Sequence, residues 1–377
     1  MKKIDNIASV DDAGCQLPVR AYCSHDIYEI EKELIFSSEP RFIGCEKMIP
    51  NIGDYVSLQG EGHGRILVRS ESGVKLLSNV CRHRQAIMLR GKGSGQNIVC
   101  PLHRWTYEND GRLIGAPLFD ERPCKNLESF PLQHWNGLLF EDAHRNIAQS
   151  LRLVPSNVMD KINMENYVFD RVEYVKCNYN WKTFVDFYLE DYHVASFHPG
   201  LSNFVDCSGL TWDFGDQYSV QTVGFKSDFG VEVPEDSDVY RTWKRAVIDY
   251  CGDCRPDCAA IWLYIFPNVM VEWYPMVLVV STIFPDGPER TLNQIEFYHP
   301  EDIMLFDHKF ITGARAAASS YLETAVEDDE IGWRMQLGRK ALVVRGGNDV
   351  GPYQRPLEDG MEHFHRLYRN RLQSVTL

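Results

Sequence analysis

Two short pairs of cysteine and histidine constrain this chain more than any other feature. Cys81 and His83 are separated by one residue, Cys100 and His103 by two, and sixteen residues lie between the pairs. Thiolates are soft ligands and imidazoles intermediate ones, so two such chelating loops can hold zinc or an iron–sulfur cluster. Structural zinc more often pairs two cysteines on one loop with two histidines on another. The mixed loops therefore favour a two-iron cluster, with both thiolates on one iron and both imidazoles on the other.

A second group of metal-ligand residue types lies further along the chain. His193 and His198 are five residues apart, with Glu190 and Asp191 just before them. A five-residue step turns about 140° around an α-helix, so both imidazoles reach one ion only if the helix breaks or widens between them. The Pro-Gly pair directly after His198 indicates such an end. Two imidazoles and one carboxylate on one face of an iron leave positions open for oxygen and substrate.

Charge and hydropathy exclude several classes of protein. Lysine and arginine number 39 against 53 aspartate and glutamate, so the net charge is -14 and a phosphate backbone would be repelled. The first residues, MKKIDNIASVDDAG, lack the apolar segment of a secretory signal peptide. The most apolar stretch, residues 259–284, is interrupted by proline, asparagine and Glu272, which predicts buried strands rather than a membrane span. We expect a cytoplasmic protein without nucleic-acid or membrane partners.

The chain divides into regions of different pattern. Its 377 residues exceed what one hydrophobic core usually supports. Residues 25–36 have an amphipathic helical pattern, and short β-like runs separated by Gly, Ser and Asn follow up to residue 141. Beyond about Leu151 strands and helices mix, ending with a long helix from about Glu301 and an amphipathic helix over 357–373. We predict an N-terminal helix in 1–40 that packs on the last domain, an all-β domain over 41–145 and an α+β domain over 146–377.

The cysteine and histidine pairs resemble the Rieske [2Fe-2S] motif. Pro101, the Trp-Thr-Tyr triplet from residue 105 and Gly111 extend the resemblance. One departure is Arg104, which stands where Rieske domains usually have a small residue after the second histidine. There it could raise the cluster's potential, help to dock an acidic electron donor, or simply be solvated. The resemblance implies that the cluster ligands are Cys81, His83, Cys100 and His103.

The second group resembles the iron-binding segment of Rieske non-haem iron oxygenase catalytic subunits. The matching residues are Asn180, Trp181, Lys182, Glu190, Tyr192, His193, His198 and Pro199. That family completes the iron site with the aspartate of a Glu-Asp-x4-Glu-x2-Gln-x-Gly pattern on a C-terminal helix. Aligning Gln336 and Gly338 selects Asp328, with Asp329 as its rival because Trp333 replaces the usual glutamate. The implied iron ligands are His193, His198 and Asp328.

The acids near these ligands receive different expectations. Glu190 matches the family's acid that bridges an iron histidine of one protomer and a cluster histidine of the next. We expect Asp191 to be solvated. An acidic, solvated helix face accounts for Glu323, Glu327 and Glu330. Phe187 occupies a position that is often asparagine in relatives, which indicates a more apolar pocket.

The resemblance covers most of the chain and implies an enzyme. It implies an all-β Rieske [2Fe-2S] domain followed by an α+β catalytic domain, whose curved antiparallel sheet is covered by helices. Its cofactors would be the [2Fe-2S] cluster and a mononuclear Fe(II), with O2 as cosubstrate. No Gly-rich dinucleotide fingerprint is present, so electrons from NAD(P)H would arrive through a separate ferredoxin or flavin reductase. The resemblance also implies a head-to-tail homotrimer.

The substrate is a small molecule whose class the sequence leaves open. Six aromatic side chains are candidates for an apolar pocket: Phe187, Phe197, Phe204, Trp212, Trp262 and Trp273. They favour hydroxylation or dihydroxylation of an aromatic compound, as in aromatic hydrocarbon catabolism. The alternative is oxidative N- or O-demethylation of a methoxylated compound or of a quaternary ammonium ion held by cation–π contacts.

Two hypotheses from other classes remain. A Rieske electron carrier would have no need of His193, His198 and Asp328, and a structural zinc protein would have no visible absorbance. Cys251, Cys254 and Cys258 also have metal-like spacing, but no fourth ligand is evident nearby, so an ordinary loop is the simpler interpretation.

Overall fold

The structure is a computed structural model that describes residues 15–58, 62–141, 145–231, 236–252 and 256–373. Its internal contacts divide the chain into two compact units. One unit consists of residues 39–149, and the other combines residues 1–38 with residues 150–377. The opening segment therefore belongs to the same unit as the C-terminal part of the chain, although the smaller unit separates them in sequence.

The smaller unit is built from short antiparallel strands. They form three sheets with the orders β1-β11-β10, β5-β2-β3-β4-β9 and β6-β7-β8. The strands are β1 Phe42–Cys45, β2 Asp54–Ser57, β3 Arg65–Ser70, β4 Gly73–Ser78, β5 Lys92–Ser94, β6 Asn97–Val99, β7 Thr106–Glu108, β8 Leu113–Gly115, β9 Ser129–Phe130, β10 Leu132–Trp135 and β11 Leu138–Glu141. Asn136 and Gly137, with φ of 50° and 76°, form the tight turn that joins β10 to β11. The predicted all-β domain is confirmed.

The larger unit contains a seven-stranded antiparallel sheet of order β12-β18-β17-β16-β15-β14-β13. Its strands are β12 Tyr167–Cys177, β13 Val205–Phe214, β14 Tyr218–Phe225, β15 Ala260–Ile265, β16 Val269–Tyr274, β17 Val277–Pro285 and β18 Thr291–Pro300. Strands β15 and β16 are buried along their whole length. The apolar stretch 259–284 therefore forms three strands of this sheet, as its composition predicts.

Helices surround this sheet and complete the predicted α+β architecture. They are α1 His25–Glu31, α2 Ile147–Ser150, α3 Ser156–Ile162, α4 Trp181–Tyr188, α5 Val194–Phe197, α6 Pro199–Ser202, α7 Asp238–Cys251, α8 Glu301–Leu305, α9 Ile311–Val344 and α10 Asp359–Gln373; the short α2 spans the boundary between the two units. The long helix expected from Glu301 is divided, because a 3-10 turn at 308–310 separates α8 from α9. Within the described residues, no helix combines the length and apolarity needed to cross a membrane.

A buried ion pair attaches helix α1 to the rest of the larger unit. Glu31 at the end of α1 pairs with Lys182 in α4, and both side chains are almost fully buried. The Trp181 indole donates to Glu31 Oε2 at 2.8 Å, and the Tyr368 hydroxyl of α10 donates to Oε1. Trp181 and Lys182, which match the family motif, thus have a structural function, since they join α1, α4 and α10.

Gln336 joins the long helix α9 to the segment before α4. Its Oε1 accepts the Asn180 amide at 3.0 Å, and its Nε2 donates to the Tyr22 carbonyl at 3.0 Å. Asn180 in turn caps α4, because its Oδ1 accepts the Lys182 amide at 3.0 Å. These hydrogen bonds set the position of α9 relative to the segment that carries the two histidines.

Candidate functional site: two groups of metal-ligand side chains

Two matching turns in the smaller unit present the four candidate cluster ligands. In each turn the residue four positions after the cysteine donates its amide to the cysteine carbonyl: Gln85 to Cys81 and Arg104 to Cys100, both at 3.1 Å. Gln85 and Arg104 both have positive φ, of 56° and 62°. The turns after β4 and β6 therefore share one backbone conformation.

The backbone of Arg104 explains why a small residue is usual at its position. Its φ of 62° lies in the left-handed region, which glycine adopts freely and which costs other residues about 1 kcal/mol. The side chain of Arg104 is exposed. The departure from the motif thus adds a solvated charge and a modest conformational cost to this turn.

The four side chains of these turns have the donor types that a two-iron cluster requires. Cys81 and Cys100 are buried, at 2% and 1% exposure. The rings of His83 and His103 lie with their centroids 4.6 Å apart, and Trp105 stacks on His83 at 5.0 Å. The Tyr107 hydroxyl lies 3.7 Å from Cys81 Sγ. Two inner thiols and two adjacent imidazoles fit a cluster with two sulfur and two nitrogen ligands.

In the larger unit, His193 and His198 enclose one helical turn. His193 precedes α5 and His198 follows it, and α6 begins directly after His198 with Pro199 at its first position. The expected helix break is therefore present: the four-residue helix α5 ends at Phe197, directly before His198. It brings the two Nε2 atoms to 2.9 Å from one another.

Asp328 of α9 completes this group. Its Oδ1 lies 3.0 Å from His198 Nε2 and 3.5 Å from His193 Nε2. The ligand atoms of the three residues all lie within 4.8 Å of one another. Asp329 faces elsewhere, because the Tyr179 hydroxyl donates to its Oδ1 at 2.5 Å. Of the two aspartates that the sequence leaves open, Asp328 is the one beside the histidines.

Two glutamates orient the imidazoles from behind. Glu190 Oε1 accepts a hydrogen bond from His193 Nδ1, and Glu327 Oε2 accepts one from His198 Nδ1 at 2.7 Å. The expectation that Glu327 is only part of a solvated face is wrong. In the sequence, Glu327 is marked only by its position directly before Asp328. That position does not show that Glu327 contacts His198. That Glu190 also bridges to a cluster histidine of another protomer stays a prediction.

This arrangement fits a divalent metal ion. Because carboxylates accept the Nδ1 protons, the Nε2 atom of each neutral histidine offers its lone pair to a cation at the centre of the group. Two lone pairs 2.9 Å apart, with a carboxylate oxygen beside them, repel unless a cation lies between them. Two nitrogens and one oxygen on one side are the donor set of non-haem iron(II) sites with open positions.

The electrostatics of the group also favour positive charge. Burial opposes charge on His193, but the hydrogen-bonding carboxylates of Asp328 and Glu190 outweigh it and raise the pKa of His193 to about 10. Burial would raise the pKa of Asp328, whereas the close approach of its carboxylate to the two histidines holds it below its ordinary value. The three side chains thus stabilise a cation at their centre.

A cavity extends from these three residues between the sheet and α9. Its lining is aromatic, acidic and apolar: Phe184, Phe187, Tyr188, Glu190, Asp191, His193, Val194, His198, Leu201, Tyr240, Trp243, Trp262, Glu272, Tyr274, Ala317, Tyr321, Thr324, Ala325 and Asp328. Among the described residues, neither lysine nor arginine contributes to this lining. The cavity therefore favours a ligand that carries positive charge.

Asp191 contradicts its expected solvation. Its side chain is only 5% exposed, and it lies next to Gln221 of β14 and Cys207 of β13. Burial raises the pKa of Asp191 to about 6. The sequence places Asp191 on a polar stretch, but β13, β14 and the segment at Leu357, whose carbonyl accepts the Asp191 amide at 3.1 Å, cover it.

The six aromatic candidates separate into two groups. Phe187 and Trp262 line the cavity, whereas Phe197, Phe204, Trp212 and Trp273 are absent from its lining. Phe204 stacks on Trp243 at 4.0 Å within the core, and Trp212 stacks on Phe214 at 5.5 Å. The cavity residues that sequence reasoning missed include Glu272, Tyr274 and Tyr321, because their shared surface forms only once the strands pair and α9 packs on the sheet.

The third cysteine group lies partly outside the described residues. Cys254 is one of the undescribed positions, Cys251 ends α7, and Cys258 is buried. The interpretation of this segment as an ordinary loop stays a prediction.

Family comparisons cover both units. The sequence model described as "Rieske [2Fe-2S] domain" matches residues 41–131. The model described as "Ring hydroxylating alpha subunit (catalytic domain)" matches residues 164–374, which is more than half of the chain. The four cysteine and histidine ligand candidates lie in the first match, and the two histidines and Asp328 lie in the second.

Individual relatives match along almost the whole chain. The "Putrescine 2-hydroxylase" of Ralstonia nicotianae is 51% identical over 98% of this chain and 99% of its own length. The protein of the same name from Bordetella bronchiseptica is 47% identical over 98% of this chain and 87% of its own. A crystal structure of a quaternary ammonium Rieske monooxygenase with its substrate L-carnitine superimposes with a TM-score of 0.76, at 20% identity, covering 99% of this chain and all of the other.

Proposed function

We propose, since this chain belongs to the Rieske oxygenase family of ring-hydroxylating alpha subunits, that it hydroxylates a short aliphatic diamine such as putrescine. Enzymes of this family are oxidoreductases with a Rieske [2Fe-2S] cluster and a mononuclear iron. The observation that carries the substrate proposal is the cavity beside the iron-ligand candidates, which holds carboxylates and neither lysine nor arginine among the described residues. The names of the two full-length relatives agree with a dicationic substrate.

Each ligand group has its own role in this function. Residues 39–149 bind the cluster through Cys81, His83, Cys100 and His103. Residues 150–377 bind iron through His193, His198 and Asp328, with Glu190 and Glu327 as positioning residues that hold the two imidazoles. When bound, the iron activates O2 for insertion into a C–H bond. The overall reaction is R–H + O2 + 2 electrons + 2 protons → R–OH + H2O, with electrons from NAD(P)H through a separate reductase.

The chain's own residues select the substrate and keep water away from the reacting carbon. The aromatic and aliphatic lining excludes water from the reacting carbon and packs on the methylene groups of the substrate. The carboxylates attract its ammonium groups and repel anionic substrates such as aromatic acids. This replaces the expected preference for aromatic compounds, because the full-length relatives are named for putrescine and the cavity disfavours anionic rings.

A quaternary ammonium ion remains a second candidate substrate, and one observation favours it. Trp243, Trp262, Tyr274 and Tyr321 line the cavity, and such rings also bind alkylated ammonium ions. An electron carrier is disfavoured, because the three iron-ligand candidates and the cavity beside them would have no use in it.

A single-turnover experiment tests the proposal without needing the natural reductase. Holoenzyme with iron and cluster restored is reduced with dithionite, freed of the reductant and mixed with putrescine and 18O2. We expect a hydroxylated diamine that contains one labelled oxygen atom, detected by mass spectrometry, and none from an Asp328→Ala variant. L-carnitine and anthranilate are tested in parallel. Turnover of either of them, without turnover of putrescine, would overturn the proposal.

A further inference from the structure

Glu272 is a carboxylate in the middle of the buried sheet. It lies on β16 and is only 3% exposed. Removing a carboxylate from water costs several kcal/mol unless hydrogen bonds and a counter-charge compensate. A side chain of this kind at this depth therefore needs partners.

Two phenols and an indole supply part of the compensation. Tyr321 of α9 donates to Glu272 Oε1 at 2.9 Å, and Tyr274 donates to Oε2 at 2.9 Å. The Trp262 indole donates to the Tyr274 oxygen at 2.6 Å, so the hydroxyl proton of Tyr274 is directed towards Glu272. These contacts hold the carboxylate in one orientation on the wall of the cavity.

The counter-charge is missing from the described part of the chain. No lysine, arginine or histidine there forms an ion pair with Glu272, and burial raises the pKa of Glu272 to about 8, so a cation beside it is needed to keep the carboxylate ionised at neutral pH. An ionised carboxylate has about four acceptor sites, and the two phenols occupy only two of them. The remaining sites are available to donors that enter the cavity which Glu272 lines.

The strand register shows that Glu272 belongs to the cavity face of the sheet. Trp262 pairs with Glu272 and Glu272 with Val279, so these side chains form one row across β15, β16 and β17. Glu296 of β18 belongs to the next row, opposite Val280, whose own partner is Val271. Because side chains alternate along a strand, Glu296 lies on the opposite face.

Glu296 is therefore a second buried carboxylate of the same sheet that has no access to the cavity, and it can serve as a control for Glu272. It is also fully buried, and Tyr298 and Gln294 donate to it at 2.5 and 2.8 Å. Burial raises the pKa of Glu296 to about 7. Glu296 does not belong to the cavity lining. The two glutamates differ chiefly in whether a ligand can reach them.

We propose that Glu272 binds one ammonium group of the substrate and so determines which amines the enzyme accepts. The inference rests on the proposed function, since it assigns a recognition residue to the same cavity. An ammonium at Glu272 completes the hydrogen bonds of the carboxylate and neutralises its charge, while Trp262 and Tyr274 offer aromatic faces beside it. Glu272 thereby fixes the distance between the bound nitrogen and the carbon presented to the iron site.

The first test removes the charge. Glu272→Gln keeps the size of the side chain and its acceptor for one phenol, but loses the ionic contact with the ligand. We expect the dissociation constant of putrescine, measured by anaerobic calorimetry on iron-loaded holoenzyme, to rise roughly 10- to 100-fold. KM should rise with it and kcat should change less, because Glu272 does not touch the reacting atoms. The control variant Glu296→Gln should bind putrescine as the wild type does.

The second test moves the charge. Glu272→Asp retracts the carboxylate by one methylene, about 1.5 Å, and keeps its ionisation. We expect the preference for putrescine over 1,5-diaminopentane, as the ratio of kcat/KM values, to shift roughly tenfold towards the longer diamine. This ratio comes from one preparation and does not depend on the fraction of the variant that is folded. Glu296→Asp serves as the control and should leave the ratio unchanged.

The outcomes separate the two proposals. If the wild type hydroxylates putrescine while Glu272→Gln binds it normally, or while Glu272→Asp keeps the wild-type ratio, Glu272 is only a structural acid and the inference is wrong. If the wild-type holoenzyme neither binds nor hydroxylates putrescine, the proposed function itself fails, and the inference fails with it.

Discussion

At the scale of single residues, neighbours in sequence have opposite surroundings here. Asp328 and Asp329 are adjacent on α9, but successive helical residues point about 100° apart. Asp328 Oδ1 therefore lies 3.0 Å from His198 Nε2, while Asp329 accepts the Tyr179 hydroxyl. Burial raises the pKa of Asp329, whereas the two histidines lower that of Asp328. One aspartate is suited to bind a cation and its neighbour to accept a neutral hydrogen bond.

Replacing each aspartate separately tests this difference. We expect Asp328→Ala to lose the mononuclear iron but to keep both irons and both sulfides of the cluster, because only one metal site loses a ligand. Asp329→Ala should keep all of its iron and lose only the hydrogen bond with Tyr179. Iron and acid-labile sulfide per chain give the result directly. Loss of iron in Asp329→Ala with retention in Asp328→Ala would reverse the assignment.

At the scale of elements, the long helix α9 determines the site because one helix carries both Glu327 and Asp328. Its position depends on close contact near its start, where a Cβ on Gly313 would lie 2.1 Å from the Cβ of Ala246 in α7. Gly338, near the other end of α9, has no atom within 4 Å of the place where its Cβ would be. Two glycines of one helix thus have different physical roles.

The two glycines predict opposite effects on stability. Gly313→Ala should lower the free energy of unfolding by about 1–3 kcal/mol, because α7 and α9 must separate to admit the methyl group. Gly338→Ala should raise it by up to about 1 kcal/mol, because alanine favours the helix and meets no neighbour. Urea denaturation followed by circular dichroism measures both changes. Equal effects of the same sign would show that the contact with Ala246 does not limit the approach of the helices.

At the scale of the whole molecule, the two ligand groups lie in different compact units. An oxygenase needs electrons to pass from one group to the other. We propose that this transfer occurs between protomers of a homotrimer, with Glu190 as the acid between the two sites. The proposal follows from the family resemblance and from the position of Glu190, which already accepts a hydrogen bond from His193 within its own chain.

Mixing two inactive variants tests transfer between protomers. His103→Ala removes a cluster ligand and Asp328→Ala removes an iron ligand, so each variant alone should be inactive. Co-expressed in equal amounts, they should recover about a quarter of wild-type activity, because half of the chains retain the iron site and half of those have a neighbour with an intact cluster. Mixed trimers that remain as inactive as the separate variants would show that electrons pass within one chain.

The amino-acid sequence predicted the local chemistry of both ligand groups. The spacing of Cys81, His83, Cys100 and His103 predicted the donor set, because those ligands lie on two short turns. The pattern around His193 and His198 predicted a broken helix, and periodicity predicted the β-rich and α+β regions. Each of these properties depends on residues that are close together in the chain, so the linear order carries the information.

Tertiary structure alone decided the properties that depend on distant segments. The choice of Asp328 over Asp329, the contact of Glu327 with His198, and the burial of Asp191 all follow from how α9, β13 and β14 pack. Glu272 appears in the sequence only as an interruption of an apolar stretch. Strand pairing placed Glu272 beside Trp262, and α9 brought Tyr321 against it. The physical reason is that hydrogen bonding, burial and charge act through space, whereas sequence spacing records only distance along the chain.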